Sequence, residues 1–108
     1  MPKYLFQVAY TAPGVVGVLR GGGSARRAAL EETVESLGGS LEAIYFALGE
    51  TDAFIVADLP DSASAAAASL VARASGAAQA QVTVLLSPED VDAATERAKE
   101  VSYRPPGH

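Results

Sequence analysis

One glycine-rich segment, RGGGSARR at residues 20–27, has a composition that could hold an anion. Backbone N–H groups at the start of a helix bind carboxylates and phosphates, and arginine adds charge-assisted hydrogen bonds. The segment lacks the lysine of a P-loop, and it follows a short helical pattern rather than the strand that precedes a dinucleotide loop. Two interpretations are open: a hinge between two helical pieces, or an anion site in which Arg26 and Arg27 support the N–H groups of Ser24 and Ala25.

Three further polar residues lie where a ligand could reach them. Asp52 is placed where a hairpin turn meets a strand, and an aspartate there usually accepts hydrogen bonds from turn amides. The alternative is that Asp52 orients a ligand or acts as a general base at the mouth of a cavity. Gln7 and Tyr45 could line the same cavity, or they could serve packing and hydrogen bonding.

Composition excludes several kinds of site. The chain has no cysteine, and its only histidine is His108, so no metal or haem site and no other cofactor is expected. A net charge of −5 argues against binding to nucleic acid or to an anionic membrane. The sequence shows no signal peptide and no apolar run long enough to span a bilayer, so a cytoplasmic location is expected.

The elements that must position these residues alternate between strand and helix patterns. Strands are predicted at 3–11, 40–49, 52–60 and 79–87, with only Glu50 and Thr51 between the second and third. Helices are predicted at 12–19, at 25–37 with Ser24 as N-cap, at 62–75 with Asp61 as N-cap, and at 88–100 after Ser87. Glycines follow the second and third of these helices, as is common at helix C-termini.

The order β-α-β-β-α-β followed by a helix predicts an α+β fold, the ferredoxin-like plait. Right-handed crossovers place both main helices on one face of a four-stranded antiparallel sheet. The strands carry apolar side chains in both directions, for example Leu5 beside Phe6, so the second face also needs a cover. We expect a second copy of the chain to cover it, as a sheet-to-sheet homo-oligomer. Residues 1–108 are expected to form one domain, with 101–108 as an extended tail.

Four segments of the chain resemble the GYD-domain family. They are KYLFQVAYT from residue 3, GGGSARR from residue 21, IYFALGETDAFIVADLPD from residue 44 and VTVLLSPEDV from residue 82. The resemblance implies a dimeric α+β barrel. The tyrosine that gives the family its name would fall at Thr51, so a role for a tyrosine at that turn is not carried over. The family has no established activity, and its wider superfamily includes cofactor-independent monooxygenases, isomerases, haem enzymes and ligand-sensing domains.

Three functions therefore remain open from the sequence. The chain could be a homo-oligomer that binds a small, partly apolar metabolite in or near the barrel. It could be a cofactor-independent isomerase or monooxygenase that uses Tyr45, Asp52 or an arginine. It could also be an assembly protein whose barrel is filled by side chains. The abundance of alanine and the scarcity of aromatic residues leave room for a cavity, which favours the first function over the third.

Overall fold

Strand β1 shows how the sequence pattern becomes structure. In the computed structural model, which describes all 108 residues, β1 runs from Lys3 to Tyr10, and Tyr4, Phe6 and Val8 are buried while their neighbours are half-buried. Residues two apart share a face of a strand, so this face of β1 forms part of the core. The strand predicted at 3–11 is confirmed over Lys3–Tyr10.

The remaining elements follow in the predicted order. They are α1 (Ala12–Ser36), β2 (Ser40–Phe46), β3 (Ala53–Asp58), α2 (Ser62–Ala74), β4 (Ala78–Leu85) and α3 (Pro88–Ala98). The strands form one antiparallel sheet in the order β2-β3-β1-β4. This arrangement is a ferredoxin-like plait, so the predicted α+β fold class is confirmed.

Helix α1 is interrupted at Gly22, whose φ of 79° and ψ of 176° are not helical. A positive φ is sterically easy only for glycine, so Gly22 is the residue at which the chain can break and resume the helix. Two helical pieces joined at the glycines were predicted, and this is what forms. The predicted N-cap at Ser24 is wrong, because Gly23 already continues the helix and Ser24 lies within it.

The connection between β2 and β3 is longer than the predicted hairpin of Glu50 and Thr51. Strand pairing ends at Phe46 and Ala53, and residues 47–52 form the loop. The Ala47 N–H donates to the Asp52 carbonyl oxygen at 2.8 Å and closes this loop. Glu50 and Thr51 do lie in the loop, as predicted, but the pairing of β2 with β3 stops several residues before them. The predicted two-residue turn is therefore wrong.

Helix α2 begins and ends at the predicted signals. The Asp61 Oδ1 atom accepts hydrogen bonds at 2.8 Å from both the backbone N–H and the hydroxyl of Ser64. These two bonds lower the pKa of the Asp61 carboxyl below its ordinary value, the backbone bond contributing most. At the other end, Gly76 takes a φ of 78°, the conformation that commonly ends a helix.

The core lies between the sheet and one side of α1 and α2. Its buried members are Tyr4, Phe6, Val8, Val34, Ala53, Ile55, Ala57, Leu59, Ala65 and Ala78. A close approach at Gly14 brings the first turn of α1 against the backbone of Ala77, where a Cβ atom would collide with the carbonyl oxygen. The helices therefore cover one face of the sheet only, as predicted.

Helix α3 projects away from this core. Ser87 and Asp90 form a capping box at its start, with reciprocal side-chain to backbone hydrogen bonds of 3.0 Å. None of its residues is buried, and the tail after it is exposed. The chain measures 55 × 32 × 23 Å with a radius of gyration of 17.0 Å, whereas a compact domain of this size has about 13 Å. Helix α3 thus packs on no other part of its own chain.

Candidate functional site

A cleft of about 530 Å³ lies between α1, α2 and the helix-covered face of the sheet. This volume falls within the range of roughly 300–1,000 Å³ that is usual for small-molecule sites. The floor is made by residues of β1, β3 and β4, including Val8, Ile55 and Ala80, and the walls by the two helices. Sixteen of its 24 lining residues are hydrophobic, so the cleft is suited to a largely apolar molecule.

The cleft exists because the helices present small side chains to each other. Helix α1 contributes Gly17, Gly21, Gly22, Ala25 and Ala29, and helix α2 contributes Ala68, Ala72 and its C-cap residue Ser75. Within each continuous helical piece, Gly17 and Gly21, Ala25 and Ala29, and Ala68 and Ala72 are four residues apart, the spacing that places each pair on one helical face. A Cβ atom added at Gly17 would meet no atom within 4 Å. The gap is therefore wide at that point, and the chain itself does not fill it.

Arg26 brings a positive charge to the cleft. Its side chain is half-buried, and its Nε atom is shielded from solvent with no hydrogen-bond partner. Arg26 also takes part in none of the ion pairs of the chain. A buried donor without an acceptor is unfavourable by about 1–3 kcal/mol, because it has lost its bonds to water. Arg26 is thus a cation without a counter-charge beside an apolar cavity.

The neighbouring Arg27 has a different environment. Its Nε atom lies 3.0 Å from Glu31 Oε1, one helical turn later, and both side chains are about half exposed. Arg27 and Ser24 do not line the cleft, whereas Gly22, Ala25 and Arg26 do. The glycine-rich segment therefore brings only part of its predicted anion site to the cavity. Anion binding by Ser24 and Arg27 stays a prediction.

Tyr10 supplies the second unpartnered polar group. Its hydroxyl is buried without a hydrogen-bond partner and its side chain lines the cleft. The backbone around it is held firmly: the Tyr10 N–H donates to Asp52 Oδ2 at 2.8 Å, and the Thr11 N–H donates to the Ala77 carbonyl oxygen at 3.0 Å. The Thr11 hydroxyl also donates to the Gly76 carbonyl oxygen at 2.7 Å. These bonds fix the end of β1, from which the tyrosine ring extends.

Asp52 lies at the junction of β1 and β3. Besides accepting from Tyr10, it donates its own N–H to the Val8 carbonyl oxygen at 2.8 Å. The carboxylate thus continues the hydrogen-bonded ladder past the last paired residues, Val8 and Ala53. The carboxylate thus accepts from backbone, but its donor is the Tyr10 N–H at the end of β1 and not a turn amide, as the sequence had suggested. Its use by a ligand stays a prediction.

Gln7 and Tyr45 lie on the other face of the sheet. The register aligns Gln81, Gln7, Phe54 and Tyr45 as one row across four strands. Tyr45 is 72% exposed and Phe54 is 36% exposed, so no helix of the chain covers them. The six residues predicted to bind a ligand are therefore divided between two faces of the sheet, and one cavity within a single chain cannot include them all.

The sequence analysis did not identify Tyr10 as a candidate. A signal for it was present, because Tyr10 continues the alternation of Tyr4, Phe6 and Val8 on the core face and is the last member of that series. A hydroxyl at the end of a buried series needs a hydrogen-bond partner, which makes Tyr10 a position to examine. The glycine and alanine stripes on two different helices were also visible, but their opposition across a gap follows only from the tertiary structure.

Comparison with known protein families agrees with this architecture. The family model for the GYD domain matches residues 4–95, from β1 into α3. The chain belongs to the GYD domain family. No curated protein and no solved structure matches it. None of the helices combines the length and apolar composition that crossing a membrane requires.

Proposed function

We propose that this protein is a homo-oligomeric module that binds a small, partly apolar molecule in the cleft between α1 and α2. The observation that carries the proposal is the cleft itself, which has the volume and the apolar lining of a ligand site. A cavity of this size lined by small side chains loses the packing contacts that would otherwise stabilise the core. A bound apolar molecule restores those contacts.

The uncovered face of the sheet supports the homo-oligomeric part of the proposal. Leu5, Phe54, Val56 and Tyr45 share this face, with Gln7 near its centre. A second copy that packs its own sheet on this face removes the apolar side chains from water. This arrangement is the sheet-to-sheet barrel expected from the sequence.

Helix α3 supports assembly independently. Val91, Val101 and Tyr103 on or just after this helix are each at least 46% exposed. An amphipathic helix that packs on nothing in its own chain gains stability by lying against a neighbouring subunit. The stiff Pro105-Pro106 segment lowers the entropy lost when the tail is ordered there.

Binding is tested with the uncharged fluorescent probe N-phenyl-1-naphthylamine. The proposal predicts saturable fluorescence enhancement by the wild-type protein and its loss in Gly17→Leu, which places a bulky side chain in the cleft. Ala28→Leu is the matched control, because Ala28 is exposed on the same helix and does not line the cleft. Binding that survives Gly17→Leu, or that Ala28→Leu removes equally, would contradict this site.

A further inference from the structure

We propose that the ligand of the cleft is an amphipathic monocarboxylate, whose carboxylate is bound by the Arg26 guanidinium and the Tyr10 hydroxyl. This inference rests on the proposed function and specifies the chemical class of the molecule bound. It assigns a role to the two polar atoms that are buried without a partner, Tyr10 Oη and Arg26 Nε. Both belong to residues that line the same cleft.

The positive charge of Arg26 favours a ligand that carries a negative charge. A guanidinium remains protonated at any physiological pH, so it cannot relieve its burial by losing a proton. No carboxylate of the chain lies within ion-pair distance of Arg26, so a ligand carboxylate in the cleft would meet no competing partner. A planar carboxylate matches the donor geometry of a guanidinium and forms hydrogen bonds stronger than those between neutral groups.

The Tyr10 hydroxyl is suited to the same group. A phenol can donate one hydrogen bond, and a carboxylate offers more acceptor positions than one guanidinium occupies. The main chain that carries the ring is held in place, because the Tyr10 N–H donates to Asp52 Oδ2 at 2.8 Å and the Thr11 N–H donates to the Ala77 carbonyl oxygen at 3.0 Å. Ordering the ring on the ligand therefore involves only its side-chain torsions, which limits the entropy lost on binding.

The walls of the cleft limit the charge of the ligand. Arg26 is the only charged residue among those lining it, and most of the others are apolar. One cation balances a single carboxylate, whereas a phosphate ester with two charges would retain an unbalanced charge in an apolar environment. The net charge of −5 on the chain also opposes binding of multiply charged anions. The geometry therefore favours one carboxylate joined to an apolar body.

The test compares octanoate with 1-octanol, which share an alkyl chain and differ in the charged group. Each is titrated as a competitor of N-phenyl-1-naphthylamine at constant ionic strength and near pH 7, where a carboxylic acid is ionised. The variants are Arg26→Gln, Tyr10→Phe and, as the matched control, Arg27→Gln. Wild-type protein is expected to bind octanoate about tenfold or more tightly than 1-octanol.

Arg26→Gln is expected to remove this preference while leaving 1-octanol affinity within about twofold of wild type. Its melting temperature without ligand should equal or exceed that of wild type, because a buried Nε donor without an acceptor has been removed. Tyr10→Phe should weaken octanoate binding by about tenfold or more, because the hydroxyl donates to a charged acceptor. Arg27→Gln should retain the wild-type preference.

Three outcomes overturn the inference. Equal affinity of the wild-type protein for octanoate and 1-octanol would show that the cleft does not recognise a carboxylate group. A preference that persists in Arg26→Gln would exclude Arg26 as the partner of the carboxylate, and an equal loss in Arg27→Gln would show that the preference reflects the general positive charge of this helix rather than the Arg26 guanidinium in the cleft. If the uncharged probe still binds in any of these cases, the proposed function stands without this ligand class. If neither the probe nor octanoate binds, both proposals fail.

Discussion

One face of the sheet is covered by helices that leave a cleft between them, whereas the other face is not covered by any helix of the chain. The helix-covered face contains a cleft of about 530 Å³, lined in part by Tyr10 and Arg26, whose hydroxyl and Nε atom are buried without a partner. The open face exposes Tyr45 and Phe54, which no helix of the chain covers. We propose that a small molecule with one polar end occupies the cleft and that a second copy of the chain covers the open face.

The origin of this difference lies in the size of the side chains. On the helix-covered side, many of the positions of α1 and α2 that line the cleft are glycine or alanine, and beside larger residues such as Leu30 and Val71 they leave a space between the helices. On the open side, the large residues are present, as in Leu5, Phe54 and Tyr45, and a packing partner is missing. The first pattern predicts ligand binding and the second predicts self-association.

The largest effect is expected from a charge on the open face. Phe54→Glu should dissociate the proposed oligomer into folded monomers, because a second sheet cannot bury an unpaired carboxylate. Sedimentation should then give a species of 11.0 kDa, with an unchanged far-ultraviolet circular dichroism spectrum. Leu48→Glu is the control, since Leu48 is fully exposed in the β2–β3 loop. A wild-type protein that already sediments as a monomer at micromolar concentration would contradict the open-face account.

A second prediction separates ligand binding from stability on the helix-covered face. Gly17→Leu should abolish probe binding and leave the free energy of unfolding equal or higher, because leucine gains up to about 1 kcal/mol of helix propensity over glycine. Urea denaturation of the ligand-free protein provides the measurement. A strong loss of stability would mean that the cleft is closed in solution and that the leucine is forced into an already packed core.

A third prediction concerns Asp52, which lies just before β3 and accepts a hydrogen bond from the Tyr10 N–H at the end of β1. Asp52→Ala removes the acceptor of the Tyr10 N–H and should lower the free energy of unfolding by about 1–2 kcal/mol. Asp52→Asn keeps one acceptor oxygen and should remain close to wild type in thermal denaturation. Loss of ligand binding in Asp52→Asn at unchanged stability would instead assign the carboxylate to the ligand.

The smallest effect is expected from the N-cap of α2, the helix that forms one wall of the cleft. The pKa of Asp61 is lowered in the folded protein by its hydrogen bonds to Ser64, so its stabilising contribution is present above the unfolded value near 3.8 and is lost as the pH falls below it. Asp61→Asn should therefore show a flatter decline in melting temperature between about pH 4 and pH 2 than wild type. Identical pH profiles would contradict this role.

The sequence predicted the fold well where the signals are local. Asp61 and Ser87 were recognised as caps because each side chain bonds to an N–H only three residues away. Ser24 has the same residue type but does not cap a helix, since the break falls at Gly22 and the chain is already helical at Gly23. A cap can be inferred from its residue type only when the start of the helix is also certain.

The candidate site was harder to predict from the sequence than the fold, for a physical reason. Arg26 was selected for its charge beside the glycines, and the same argument applied equally to Arg27. The two differ because Arg27 has Glu31 one turn away on the exposed surface, whereas Arg26 points to a space between two helices. That space depends on the distance between elements far apart in the chain, which neither composition nor periodicity specifies.

The central claim is that a second copy of the chain completes one face of the sheet and a small acid completes the other. Native mass spectrometry of the protein purified from its own host tests both parts together. The account predicts an integral multiple of the 11.0 kDa chain mass, with a small molecule retained by each subunit that dissociates on collisional activation as a carboxylate. A monomer that carries no additional mass would contradict it.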